Sequence, residues 1–117
     1  KIIVSTSNSK SDNKLVNYLK INNINYFRGS LKNVALRLYK TAKKHRFNYF
    51  ARISGDSPLF DFRILEKALS IKKKYKKIDL ITNVYPRTFP KGQSVEIISN
   101  NIRPKKLLCI KRNTPPR

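Results

Sequence analysis

Ala51-Arg52-Ile53-Ser54-Gly55-Asp56-Ser57-Pro58-Leu59-Phe60-Asp61 is the stretch on which the reading of the fold turns. Tyr49, Phe50, Ala51 and Ile53 supply the aromatic and apolar run of a buried strand. Gly55 then allows a tight turn and a close approach by a ligand. Asp56 is left as a carboxylate where the strand ends. Pro58 prevents the strand from continuing, and Asp61 has the chemistry to cap a following helix. Ligands of open α/β sheets bind outside the carboxyl ends of the strands, so an aspartate there is a candidate phosphate-site or metal residue. Closing a turn is the other reading of Gly55-Asp56.

Working outward, strands alternate with helical patterns. Ile2, Ile3 and Val4 begin a strand over residues 1–6. A helix follows to about Asn22, capped by Ser11 or Asp12 and buried through Leu15, Val16 and Leu19. Ile24 to Phe27 reads as a second strand and Arg28-Gly29-Ser30 as a turn. Val34, Ala35, Leu38 and Ala42 fall on one face of a helix over residues 32–45. After the central strand, Ile64, Leu65, Ala68 and Leu69 stripe a helix over residues 61–75. Residues 79–83 form a fourth strand. A loop bearing Pro and Gly spans Tyr85 to Gly92. Val95 and Ile97 then alternate with Ser94 and Glu96, as in a half-buried strand that can run antiparallel. This order implies an α/β fold with a largely parallel sheet, in which Ile2, Ile3, Val4, Phe50, Ile53, Leu80 and Ile81 are buried.

The 117 residues carry 27 Lys and Arg against 6 Asp and Glu, a formal charge of +21. Such a balance suits polyanions, and a nucleic-acid or polyanion-binding module is one functional class to weigh. Lysines outnumber arginines two to one, however, while base and phosphate recognition favours the arginine fork. The run Lys72-Lys73-Lys74 near a helix end reads as a solvated face complementing the helix dipole. The expected partners therefore exclude nucleic acid and membrane. Cys109 is the single cysteine, so no internal disulfide can form, and His45 is the single histidine, with nothing to pair the two as nucleophile and base. A cytoplasmic setting fits this usage, and no apolar run approaches the roughly 20 residues of a membrane span.

Four segments in fixed order resemble the cytidylyltransferases of surface-polysaccharide synthesis, of the spore-coat polysaccharide type, related to the CMP-sialic acid and CMP-Kdo synthetases. They are Ile2-Ile3-Val4-Ser5-Thr6-Ser7, with Asp12 and Leu15 after it; Phe27-Arg28-Gly29-Ser30, with Val34, Leu36-Arg37 and Tyr39; Arg52 to Leu59, then Asp61; and Asn83, Arg87-Thr88-Phe89-Pro90-Lys91-Gly92, closed by Val95-Glu96-Ile97. The resemblance implies a Rossmann-like fold of the nucleotide-diphospho-sugar-transferase type. It also implies transfer of CMP from CTP to a sugar acid, with Mg²⁺, and leaves a homodimer open. It spans residues 1–99, expected as a partial nucleotidyltransferase domain, with residues 100–117 a divergent or disordered tail. The chain has no Met and opens on a core strand, so the Arg- and Gly-bearing phosphate loop of the family is expected to be lacking and the chain to be inactive alone. In the sugar-side loop, Ser94 stands where the family carries Asp.

The resemblance distributes roles. Asp56 and Arg52 would be catalytic, with Asp56 also the metal ligand. Arg28, Gly29 and Ser30 would lie near the cytidine, and Arg87, Gly92 and Glu96 on the sugar side. Nucleotidyl transfer is an in-line displacement at phosphorus, and Mg²⁺ takes one or two carboxylates plus substrate phosphates. Arg52 can contact phosphate or pair with Asp56 or Asp61, and Arg37 can serve as a salt-bridge residue of its helix.

Overall fold

A computed structural model of the chain describes residues 1–101. The expected tail falls outside them from residue 102 onward, and Cys109 with it. The described chain divides into two compact units, Lys1–Arg46 and a second beginning at Phe47.

In the first unit, strand β1 (Val4–Ser7) and strand β2 (Tyr26–Gly29) pair in parallel, with Ser7 opposite Gly29. Helix α1 (Asn13–Ile21) makes the crossover that a parallel pair requires, and helix α2 (Val34–Lys44) follows β2. Asn33 caps α2, its Oδ1 accepting from the Leu36 N–H at 2.9 Å. Val16, Leu19 and Ala42 are the buried apolar side chains, and Thr41 shares a 3.1 Å hydroxyl–hydroxyl hydrogen bond with Ser5 of β1.

In the second unit, strand β3 (Tyr49–Arg52), helix α3 (Phe62–Lys74), strand β4 (Leu80–Thr82) and strand β5 (Glu96–Ser99) follow in order. The sheet order is β3-β5-β4, with β5 antiparallel to both neighbours, so β3 and β4 run the same way with the last strand between them. Asp61 caps α3 as its chemistry suggests, accepting from the Arg63 N–H at 2.9 Å. Val95 and Ile97 are each 1% exposed, and with Ala68 they form the centre of this unit's core. Burial of Val95 and of Ile97 stabilises the fold by about 1.5–3 kcal/mol each.

The α/β class and the order of elements are as expected, and so is the antiparallel last strand. The expected burial differs. Ile53 is 41% exposed, since β3 ends one residue earlier, and Ile2 is 83% exposed ahead of β1. Ile3, Val4, Phe50, Leu80 and Ile81 are half-buried. Burial is greatest in β5, the central strand, where Ile97, Ile98 and Ser99 are buried and Glu96 is half-buried. Lys72 is a second correction. It is buried, and its Nζ donates to the carbonyls of Lys76 (2.9 Å) and Ile78 (2.5 Å) and to Ser99 Oγ (2.7 Å). Among the described residues, no helix is long and apolar enough to cross a membrane.

Candidate functional site

Arg28 and Gly29 are strand residues, the last two of β2, and Ser30 begins the turn after them. With Asn8, Phe27, Leu31, Lys32, Leu36 and Lys40 they line a cavity of about 560 Å³ where β2 ends. Arg28 spans the strand ends: Nε donates to the Ser7 carbonyl at 2.9 Å and Nη2 to the Ser9 carbonyl at 2.7 Å. Arg37 reaches back from α2 and donates from Nη1 to the Ser30 carbonyl at 3.0 Å, rather than serving a salt bridge. Its aliphatic stem lies so close that a Cβ at Gly29 would stand 2.8 Å from Arg37 Cγ and 3.0 Å from Phe27 Cε1. The three residues assigned to the nucleotide thus share one cavity, whose wall also carries the cations Lys32 and Lys40.

Next to this cavity's residues in the chain, but outside its lining, is a carboxylate read from the sequence as a cap. Asp12 stands at the N-cap of α1 but makes no side-chain cap bond. Its Oδ2 instead accepts from Thr6 Oγ1 (2.5 Å), Ser7 Oγ (2.7 Å) and the Ser7 N–H (2.9 Å). The Thr6 hydroxyl first, then the Ser7 side chain and N–H, hold its carboxyl well below the ordinary carboxylate range.

In the second unit, the loop after β3 carries Asp56 in an exposed turn. Its carboxylate makes no hydrogen bond or ion pair among the described residues. Gly55 is required there neither by a left-handed backbone nor by packing, since an added Cβ would meet nothing within 4 Å. Arg52 pairs with neither Asp56 nor Asp61. It faces Glu96 across β3–β5, with Nη1 2.6 Å from Oε2. Asp61 is taken by Arg63, 2.8 Å away, which with its N–H keeps the Asp61 carboxyl below its usual range. The structure therefore brings together Arg52, proposed as catalytic, and Glu96, proposed on the sugar side.

Arg87 donates from Nη1 to Ser94 Oγ at 3.3 Å, and Gly92 sits at φ +87°, a left-handed position that favours glycine. Gln93, beside it, carried no signal beyond its place in a Pro-Gly loop. Its Oε1 accepts from the Asp61 N–H at 2.8 Å and its Nε2 donates to the Leu59 carbonyl at 2.7 Å. Gln93 therefore fastens the 84–93 loop to the one that carries Asp56. Asn83 brackets it, donating to the Gln93 carbonyl at 2.7 Å and accepting from the Val95 N–H at 2.9 Å.

Among the described residues, no three His, Cys, Asp or Glu side chains gather as a complete metal cage. One exposed, uncommitted carboxylate does match the modest protein share that Mg²⁺ takes when phosphates supply the rest.

A family model described as Cytidylyltransferase matches residues 1–114. A solved structure, that of a cytidylyltransferase from Leptospira borgpetersenii serovar Hardjo-bovis, is similar with a TM-score of 0.82 and 30% identity, over 92% of this chain and 45% of that one. An uncharacterised protein of Methanocaldococcus jannaschii is 38% identical over 66 residues, 56% of this chain and 27% of that protein. The chain thus spans less than half the length of either.

Proposed function

This chain belongs to the cytidylyltransferase family, and we propose that it serves the transfer of CMP from CTP to a sugar acid in surface-polysaccharide synthesis, in the cytoplasm. The observation that carries the reading is the cavity at the end of β2, where Arg28, Gly29 and Ser30 meet beside Lys32 and Lys40. Cations on a small concave wall suit a nucleotide's anionic end, while Phe27, Leu31 and Leu36 offer apolar surface to a base or ribose.

In the reaction proposed, a hydroxyl oxygen of the sugar acid attacks the α-phosphorus of CTP in line and gives up its proton to solvent. The bond to the bridging oxygen breaks, and pyrophosphate leaves with that electron pair. What the chain supplies is placement and charge complementarity. Arg28 is held by two carbonyls, so it meets an anion without reorganising. The Arg52–Glu96 pair is a rigid cross-strand unit, and its guanidinium can meet the sugar carboxylate while Glu96 orients it. Arg87 and Gly92, on the loop tied down by Gln93, are assigned to the sugar side. Asp56 would hold Mg²⁺ together with substrate phosphates, and the metal would supply charge neutralisation at those phosphates.

Pyrophosphate release from CTP and a panel of sugar acids, by the protein that carries this chain, tests the reading. Asp56→Asn removes charge but little volume. It is expected to lower turnover about a hundredfold or more, with the circular-dichroism spectrum unchanged. Undiminished turnover in Asp56→Asn would remove Asp56 from the site, and no CTP-dependent release with any sugar acid would reject the substrate class.

A further inference from the structure

Asp12 is spent on the end of β1 rather than on the helix it precedes. Its Oδ2 holds the Ser7 N–H at 2.9 Å and the Ser7 hydroxyl at 2.7 Å. That hydroxyl accepts in turn from the Ser9 N–H at 3.1 Å. Ser11 Oγ lies within hydrogen-bond distance of Ser9 Oγ (3.0 Å) and of Asp12 Oδ1 (3.3 Å) and donates its one proton to either. The N–H groups of Ser7 and Ser9 are thereby fixed, and with them the direction of the backbone from 7 to 9. The carbonyls of these same two residues receive Arg28, Ser7 at Nε and Ser9 at Nη2. Asn8, between them, donates its N–H to the Gly29 carbonyl at 2.8 Å and lines the cavity.

We propose that Asp12 is a positioning residue for nucleotide binding: it sets the Arg28 guanidinium in the cavity wall by fixing the Ser7 and Ser9 carbonyls that hold it. The role rests on the nucleotide reading of that cavity. Asp12 does not touch the nucleotide. It is not among the residues that line the cavity, and its effect reaches the ligand through Arg28. The ionised form is the one that works, since all three contacts to Oδ2 are donors. Ser7, 2% exposed, is the buried link, and its hydroxyl has both its donor and an acceptor position filled.

The test uses the ¹⁵N-labelled chain, its Asp12→Ala, Asp12→Asn and Arg28→Ala variants, and the Asp12→Ala/Arg28→Ala double variant. Two quantities are read: the Arg28 Nε–H resonance with its exchange against water, identified by its loss in Arg28→Ala, and CTP affinity by calorimetry. Asp12→Ala is expected to speed exchange of the Arg28 Nε–H and to weaken CTP about tenfold, the scale of one charged hydrogen bond. The double variant is expected to bind no more weakly than Arg28→Ala, because both changes remove one device. An unchanged Arg28 resonance in a folded Asp12 variant overturns the proposal, as do losses that add in the double variant. Should Asp12→Ala not fold, Asp12→Asn, equal in size, decides by the same readings. Should the unaltered chain not bind CTP, the nucleotide reading falls and the role in nucleotide binding is overturned with it, while the Arg28 resonance still shows whether Asp12 holds Arg28 in place.

Discussion

The stem of Arg37 lies against Gly29 so closely that a methyl group there would have to displace Cγ, an atom near the root of the side chain. Arg37 cannot retreat without loosening its bond to the Ser30 carbonyl. We expect Gly29→Ala to destabilise the fold by about 1–3 kcal/mol, as overpacking does. Gly55→Ala, on open ground, should stay within about 0.5 kcal/mol. Denaturant midpoints of the two variants make the comparison, and equal midpoints would contradict it. The family resemblance singled out Arg28, Gly29 and Ser30, but the packing that requires Gly29 was not legible, because it depends on a side chain eight positions on. The Arg52–Glu96 pair was hidden in the same way. Their contact comes from the antiparallel register of strands far apart in sequence, and local pattern offered Asp56 and Asp61 as equally near partners.

Among the elements, β5 governs the second unit. Its alternating sequence suggested one solvated face, yet it is the central strand, and Ile98 and Ser99 are buried with Val95 and Ile97. Helix positions were readable because capping and periodicity are local: Asp61 caps as its chemistry suggests, although Asn33, which caps α2, was not singled out and Asp12 makes no cap bond. Where α3 ends, local reasoning failed. In a Lys-rich run each lysine looks solvated, and only the tertiary fold singles out Lys72, whose ammonium gathers two carbonyls and the Ser99 hydroxyl and lies 5.8 Å from the centre of the Tyr49 ring. Lys72→Met keeps the apolar stem and removes the donor. It should cost on the order of 2–3 kcal/mol by leaving those acceptors without their charged partner, whereas Lys73→Met, on an exposed side chain, should change little. Thermal unfolding of the two variants side by side checks this, and equal melting temperatures would show that the Lys72 contacts do not hold the turn.

For the molecule as a whole, a charge of +21 attracts any polyphosphate, so binding by itself does not separate a shaped nucleotide site from a basic surface. Location and selectivity do. Among the described residues, lysines occur on α1, α2 and α3 and in the segments between them, whereas the nucleotide reading concentrates the interaction on one wall. The decisive measurement is a titration of the ¹⁵N-labelled chain with CTP, and separately with ATP, at about 0.15 M salt, where long-range attraction is screened beyond about 8 Å. The account predicts saturable shifts centred on the amides of Asn8, Arg28, Gly29, Ser30 and Leu31, stronger for CTP than for ATP. Equal shifts with both nucleotides, scattered over the lysine-bearing helices and leaving those five amides unmoved, would contradict it.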